Sequence, residues 1–231
     1  TYSEKDFFPG STQKKDFLSV LNTRLLNSLY QSPKSKWLNL VAAANKSLNQ
    51  KHIKDFIHDQ NVQRLISEFD WDGQVPIFTP ANSDCLSLGI TCDYLGVVES
   101  NFSANKANAF LKRDLSHEIV FGRSGEIEEK ITIKYDNQSP SNAWPAGTYK
   151  NYLRIYTPQN STLLRIDLDD KKASMSAHTD TEKPKNIKEG ELDVEIATES
   201  AKTSFGFYIE VPFKSQKTVS VSYRLPYNLS F

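Results

Sequence analysis

The hydrophobic rhythm of the chain changes once, near residue 110. Before that point apolar residues recur three and four apart. In STQKKDFLSVLNTRLLNSLYQ, Phe17, Leu18, Leu21, Leu25, Leu26 and Leu29 fall on one helical stripe, Ser11 or Thr12 can cap it, and Pro33 breaks the chain after it. SKWLNLVAAANKSLNQ places Trp37, Leu38, Val41, Ala42 and Leu48 on the buried side of a second helix, so the pair predicts a helical hairpin. KHIKDFI alternates polar and apolar and reads as a strand. NVQRLISEFDWDG reads as a short third helix with Val62, Leu65, Ile66 and Phe69 inward and Gly73 as its stop, and DYLGVVES as another strand. Residues 1–110 are therefore expected to be a mixed α/β part, half of a larger domain.

Past residue 110 the period becomes two. DLSHEIVF, EIEEKITIKYDN, KNYLRIYTP, STLLRIDLD, ELDVEIATE, TSFGFYIEVP and TVSVSYRLP each alternate or are rich in β-branched and aromatic residues. Seven such segments predict an antiparallel, immunoglobulin-like β-sandwich over 111–231, and an α+β chain overall. Within EIEEKITIKYDN, Ile127, Ile131, Ile133 and Tyr135 share a face, and Glu129 marks a one-residue slip, read as a bulge. SPSNAWPAGTYK and KKASMSAHTDTEKPKNIKEG read as loops or a weak hairpin.

Composition narrows the classes without choosing among them. A chain of 231 residues can bury a core unaided. Lys plus Arg and Asp plus Glu are 28 each, so bulk charge gives no reason to expect a nucleic-acid partner. No apolar run is long enough to span a membrane, and no leader is visible. Cys85 and Cys92, in CLSLGITC, are either two core cysteines or a disulfide closing a small loop; the second reading is preferred and implies an oxidising compartment.

No sufficient catalytic set stands out, so whether the protein is an enzyme stays open. In SNFSANKANAFLKRDL, Asn101, Lys106, Asn108 and Arg113 could hold an anion or a polymer phosphate, with Asp93 nearby. The competing reading makes Asn101 and Asn108 turn caps and pairs Lys106 and Arg113 with Asp93 or Asp114 across a layer junction. Tyr152, Arg154 and Tyr156 share one face of a strand; exposed, they could stack on sugar rings, and buried, they are core with Arg154 paired. Trp144 is a loop aromatic suited to an exposed contact. His52 and His58, six apart, fall on one face of a continuous strand, but a metal site there would need a further ligand from Asp55, Asp59 or Asp70. Ordinary exposed or half-buried histidines are the preferred reading; His117 and His178 have no partner in the sequence. Asp167, Asp169 and Asp170 read as a wet surface or a weak calcium contact. No metal and no cofactor is expected.

The order of these segments resembles the later half of the bacterial domain-of-unknown-function family 4012. The resemblance is carried by Lys51-His52, Gln63, the Trp71–Gly73 turn, Asp93-Tyr94, the Asn101–Lys106–Asn108–Arg113 run and the Tyr149-x-Asn151-Tyr152-x-Arg154-x-Tyr156-x-Pro158 segment, across about residues 12 to 168. QNSTLL departs from it by lacking a Gly before the Ser, and the cysteine pair is a second departure. The resemblance implies a module on the extracellular face of a bacterial cell envelope, with its parent anchored by a membrane helix in a segment before Thr1. The expected function is non-catalytic, binding or structural, with a cell-wall polymer or an envelope protein as partner. The alternatives are part of an enzyme acting on anionic cell-wall polymers, or a carbohydrate-binding sandwich.

Overall fold

The computed structural model describes residues 11–75, 92–179, 181 and 188–229, with side chains from residue 19 onward. The chain divides into two compact units, Thr1–Val75 and Pro76–Phe231.

The first unit is helical: α1 (Ser11–Tyr30), a 3-10 turn (Lys34–Lys36), α2 (Trp37–Asn49) and α3 (Gln60–Glu68). Asp59 caps α3, its Oδ1 accepting from the amides of Asn61 (3.0 Å) and Val62 (3.1 Å). Two expectations for this unit are corrected. KHIKDFI is not a strand. Lys51 has φ 61°, and the amides of His52 and Ile53 return to the Ser47 carbonyl at 2.9 and 3.3 Å, so the segment begins as the closing turn of α2. The apolar stripes are also not buried. Leu25, Leu29, Trp37, Val41 and Leu65 are exposed, Leu38 at 82 %, and Ile66 is the one buried hydrophobic side chain described in this unit. A helical stripe needs a partner surface, and among the described residues of this unit none covers these stripes. No described helix is long and apolar enough to cross a membrane.

The second unit is a two-sheet β domain. Sheet A has the order β1 (Gly96–Asn101), β4 (Tyr149–Pro158), β9 (Lys202–Val211), β8 (Leu192–Glu199), β7 (Met175–Thr179). Sheet B has the order β2 (Leu111–Phe121), β3 (Glu126–Asn137), β10 (Ser215–Asn228), β5 (Thr162–Leu168), β6 (Lys171–Lys172). All seven segments expected past residue 110 are strands. Gly96–Asn101, assigned in the sequence to the N-terminal part, is the edge strand of sheet A and pairs with β4. The sheets are not purely antiparallel, because β7 runs parallel to β8. β7 lies in a segment expected to be loop or weak hairpin.

The core is filled from both sheets by Ile131, Ile133, Tyr135, Leu153, Ile155, Ile166, Val194, Phe205, Phe207, Val219, Val221 and Tyr223. Turn chemistry sets the registers. Asp169 and Asp170 both have positive φ (51° and 61°) and join β5 to β6; Ser200 and Ala201 (51° and 54°) do the same between β8 and β9. Such paired left-handed residues match the twist of two-residue hairpins. The acidic run at 167–170 is thus a hairpin in which Asp167 meets Arg165 at 2.5 Å and Asp169 accepts from the Thr218 amide at 2.9 Å. Gly125 closes the β2–β3 turn at φ +87°, where a Cβ would sit 2.1 Å from the Leu229 carbonyl oxygen.

The slip expected at Glu129 is not in β3, which alternates throughout; the register shift of the β3–β10 ladder falls on β10, between Arg224 and Asn228. The β2–β3 ladder runs without a shift from Leu111↔Asn137 to Phe121↔Ile127. Glu129 is in phase with Ile127 and Ile131 and points inward, 2 % exposed. Of the expected Cys85–Cys92 pair, Cys85 lies outside the described residues, so that pairing is not described; Cys92 is buried and is not a free thiol.

Candidate functional site

The five residues singled out in the sequence do not converge. Asn101 ends β1, where its Oδ1 accepts from the Ser103 amide at 2.9 Å. The neighbouring Asn105 accepts from the Ala107 amide (3.2 Å) and donates to the Thr148 carbonyl (2.9 Å). These amides organise the turn. Lys106 and Asn108 are exposed, on either side of the buried Ala107, and the Lys106 amide donates to the Pro145 carbonyl at 2.6 Å. Arg113, on β2, is ion-paired with Glu99, on β1. That pair joins the edge strand of sheet B to the edge strand of sheet A, with Glu99 as the carboxylate in place of the expected Asp93 or Asp114. Trp144 is 54 % exposed in the β3–β4 loop.

Arg154 belongs to a different surface, the outer face of sheet A. On β4 the alternation sends Tyr149, Asn151, Leu153 and Ile155 into the core and leaves Lys150, Tyr152, Arg154 and Tyr156 outside. Tyr152 reaches diagonally from β4 across β9 to β8, where its hydroxyl donates to Glu195 Oε2 at 2.5 Å. The β9 residue it crosses is Gly206; a Cβ there would lie 2.6 Å from the phenol oxygen and 3.0 Å from Cζ. The missing side chain lets the ring lie along the sheet instead of standing off it. Tyr156 repeats the reach to Glu199 Oε2 at 2.6 Å. Four residues of antiparallel strand separate the two rings by roughly 14 Å.

Arg154 sits between them, its guanidinium carbon 5.6 Å from the Tyr156 ring centre and its Nη1 3.6 Å from Glu199. Tyr208, 40 % exposed, faces Tyr152 across the β4–β9 ladder and donates to Glu210 Oε1 at 2.7 Å, while Glu210 also meets Lys150 at 3.2 Å. Phe102, 69 % exposed, packs edge-on against Tyr152 at 6.1 Å and extends the row beyond the end of β1. The phenols are held neutral. Burial, then the carboxylate hydrogen bond, pushes both Tyr156 and Tyr208 up to about 12, and pushes Tyr152 up as well. Glu210 is pulled below the usual carboxylate range, chiefly by the Tyr208 hydroxyl and then by Lys150. The result is a face of fixed aromatic rings interleaved with charged hydrogen-bonding groups.

A second group of polar side chains gathers at the β1–β2 side of the two sheets. His117, on β2, brings Nε2 within 2.9 Å of Glu129 Oε2, on β3. Tyr223, directly opposite Glu129 on β10, donates to the same oxygen at 2.5 Å. Asp93, just before β1, completes a set whose ligand atoms all lie within 4.8 Å of one another. Burial, then the negative charge of Glu129, raises the Asp93 carboxyl. The sequence points to Asp93 but does not join His117 and Glu129 to it. His117 stands opposite Ile131 and so reaches Glu129 only diagonally. The usable signal is the Ile127-x-Glu129-x-Ile131 phase, which places a carboxylate in an apolar column.

No protein-family model, curated protein or solved structure matches the chain.

Proposed function

We propose that the β unit is a non-catalytic binding module of immunoglobulin-like sandwich class, that it takes a carbohydrate polymer on the outer face of sheet A, and that it serves at the extracellular face of a bacterial cell envelope. The observation that carries this reading is the repeated tyrosine reach. Tyr152 lies over Gly206 with its hydroxyl on Glu195, and Tyr156 reaches in the same way to Glu199. A pyranose presents one apolar C–H face and a rim of hydroxyls. Rings fixed along a sheet offer the first a stacking surface, and Glu195, Glu199, Glu210, Lys150 and Arg154 offer the second hydrogen-bond partners. A spacing of roughly 14 Å suits several linked sugars better than one. The envelope address rests on the resemblance carried by the Asp93-Tyr94 and Tyr149–Pro158 segments.

The reading of an enzyme site for anionic polymers draws less support. It needs uncommitted cations in a shared cleft, whereas Arg113 is held by Glu99 and Arg154 by Glu199 on another face. The test is affinity electrophoresis of the chain through gels containing neutral or anionic cell-wall polysaccharides. Retardation by a polysaccharide, lost in Tyr152→Ala and Tyr156→Ala proteins and kept in Lys106→Ala, is the expected result. Retardation by anionic polymers alone, lost in Lys106→Ala or Arg113→Ala and kept in the tyrosine variants, would replace this reading with the basic-site one.

A further inference from the structure

The Asp93–His117–Glu129 group is independent of the carbohydrate face, and it has the form of a metal site. We propose that these three side chains bind one divalent ion of the zinc class, which clasps the segment leading into β1 against sheet B. The donor set is one imidazole nitrogen and two carboxylate oxygens, which suits zinc and neighbouring transition ions better than calcium or magnesium. The donors come from three separate stretches of chain, so their meeting is a property of the fold. Two of them stand on adjacent hydrogen-bonded strands, which fixes their separation.

The distances fit. Metal bonds of about 2.1 Å give a tetrahedral edge of about 3.4 Å, so the His117 Nε2 to Glu129 Oε2 separation of 2.9 Å must open by about half an ångström. The remaining donor pairs fall inside the same 4.8 Å limit. Glu129 is the floor of the site, with its side chain 1 % exposed, while Asp93 and His117 form an accessible rim. An ion can therefore enter from solvent, and water can fill a fourth position.

The surroundings are those of a supported ligand. The Tyr223 hydroxyl donates to Glu129 Oε2, the same oxygen that meets His117, and so holds the carboxylate in place while leaving that oxygen a second lone pair. The Tyr227 hydroxyl donates to the carbonyl of Cys92, which anchors the backbone beside Asp93. Two carboxylates crowded at the margin of an apolar core repel, a cost that the Tyr223 hydroxyl and His117 meet in part and a bound cation would lower further. Asp93 belongs to the stretch entering sheet A, and His117 and Glu129 belong to sheet B. An ion between them would fasten the two layers on the side where the Arg113–Glu99 pair already does so.

The test uses the full 231-residue chain, stripped with a chelator and dialysed, with zinc ion as the probe. Calorimetric titration should give one zinc per chain. Saturation at about a hundredfold excess over Kd should raise the midpoint of thermal unfolding by about 5–10 °C. Asp93→Asn and His117→Ala, both at the accessible rim, should each weaken binding at least tenfold and abolish the thermal shift. Glu129→Gln can fail by misfolding, so the two rim variants decide the outcome. Cobalt substitution should give the visible absorption of a four- or five-coordinate site in the wild type only. No zinc uptake, or uptake and a thermal shift unchanged in both rim variants, would overturn the proposal.

Discussion

Adding one methyl group at Gly206 tests the geometry of the tyrosine face without touching a polar atom. Gly206 lies on β9 between Arg154 of β4 and Glu195 of β8. An ideal Cβ there is 2.6 Å from the Tyr152 phenol oxygen, 3.0 Å from Cζ and 3.1 Å from Cε1. Ordinary contacts are about 3.5–4.0 Å, so the outer end of the ring must rise by about 1 Å. That displacement breaks the 2.5 Å hydrogen bond to Glu195. A hydrogen bond to a charged acceptor contributes about 1.5–3 kcal/mol, and half-exposure places this one at the lower end. Replacing glycine by alanine inside a strand returns about 0.5–1 kcal/mol through the unfolded chain. Gly206→Ala is therefore expected to lose about 1 kcal/mol, or about 2–4 °C in the unfolding midpoint.

The same substitution made in a Tyr152→Ala background should change sign, because the obstructing ring is gone and only the backbone gain of about 0.5–1 kcal/mol remains. Denaturant unfolding of the four proteins of this cycle measures both effects with no ligand present. The same set, run against whichever polysaccharide retards the wild type, should show Gly206→Ala weakening binding by about 2- to 12-fold, the equivalent of one aromatic contact of about 0.5–1.5 kcal/mol. Alanine at 206 should add no further loss once Tyr152 is removed. Equal effects of Gly206→Ala in both backgrounds would refute the claim that Tyr152 lies over this position.

Two further expectations concern the frame and the charges of the site. Asn137 is fully buried, donates to the carbonyls of Gly147 and Val211 at 2.9 Å each and accepts from the Ser139 amide at 3.1 Å; Asn137→Ala should cost about 2–4 kcal/mol in urea unfolding, and a loss under about 1 kcal/mol would mean these groups find other partners. Tyr208→Phe removes the hydroxyl that chiefly holds Glu210 low, so the Glu210 carboxyl should titrate closer to its ordinary value of 4.5 by carbon-detected NMR. The sign on stability follows from the direction. A carboxyl lowered on folding stabilises above its unfolded pKa, and that contribution fades as pH falls through the folded value, so the variant should lose less stability on acidification than the wild type. An unchanged Glu210 titration would show that Lys150 alone sets it.

The period-two segments past residue 110 locate every long strand among the described residues of the β unit, because alternation is imposed by burial on one side of a sheet and survives whatever the topology. Alternation does not say which strands become neighbours, and the two sites depend on that. Tyr152 and Tyr156 are legible as one face of β4. The carboxylates that hold them lie 43 residues further on, on β8, two strands away and beyond a glycine whose role is to be absent as a side chain. Nor does period distinguish the outward set from the inward one when both are apolar and aromatic. Tyr149 is buried and Tyr152 is not, though the segment alternates cleanly on either choice. Glu129 misleads for a different reason. A charged residue in an apolar column reads as a shift in backbone register, since a buried carboxylate is costly. The fold instead keeps the register and meets the cost with Tyr223 from a strand 94 residues away and His117 from the adjacent strand. Local pattern records what each strand must bury, whereas polar side chains that carry function are stabilised by partners that only the strand order brings within reach.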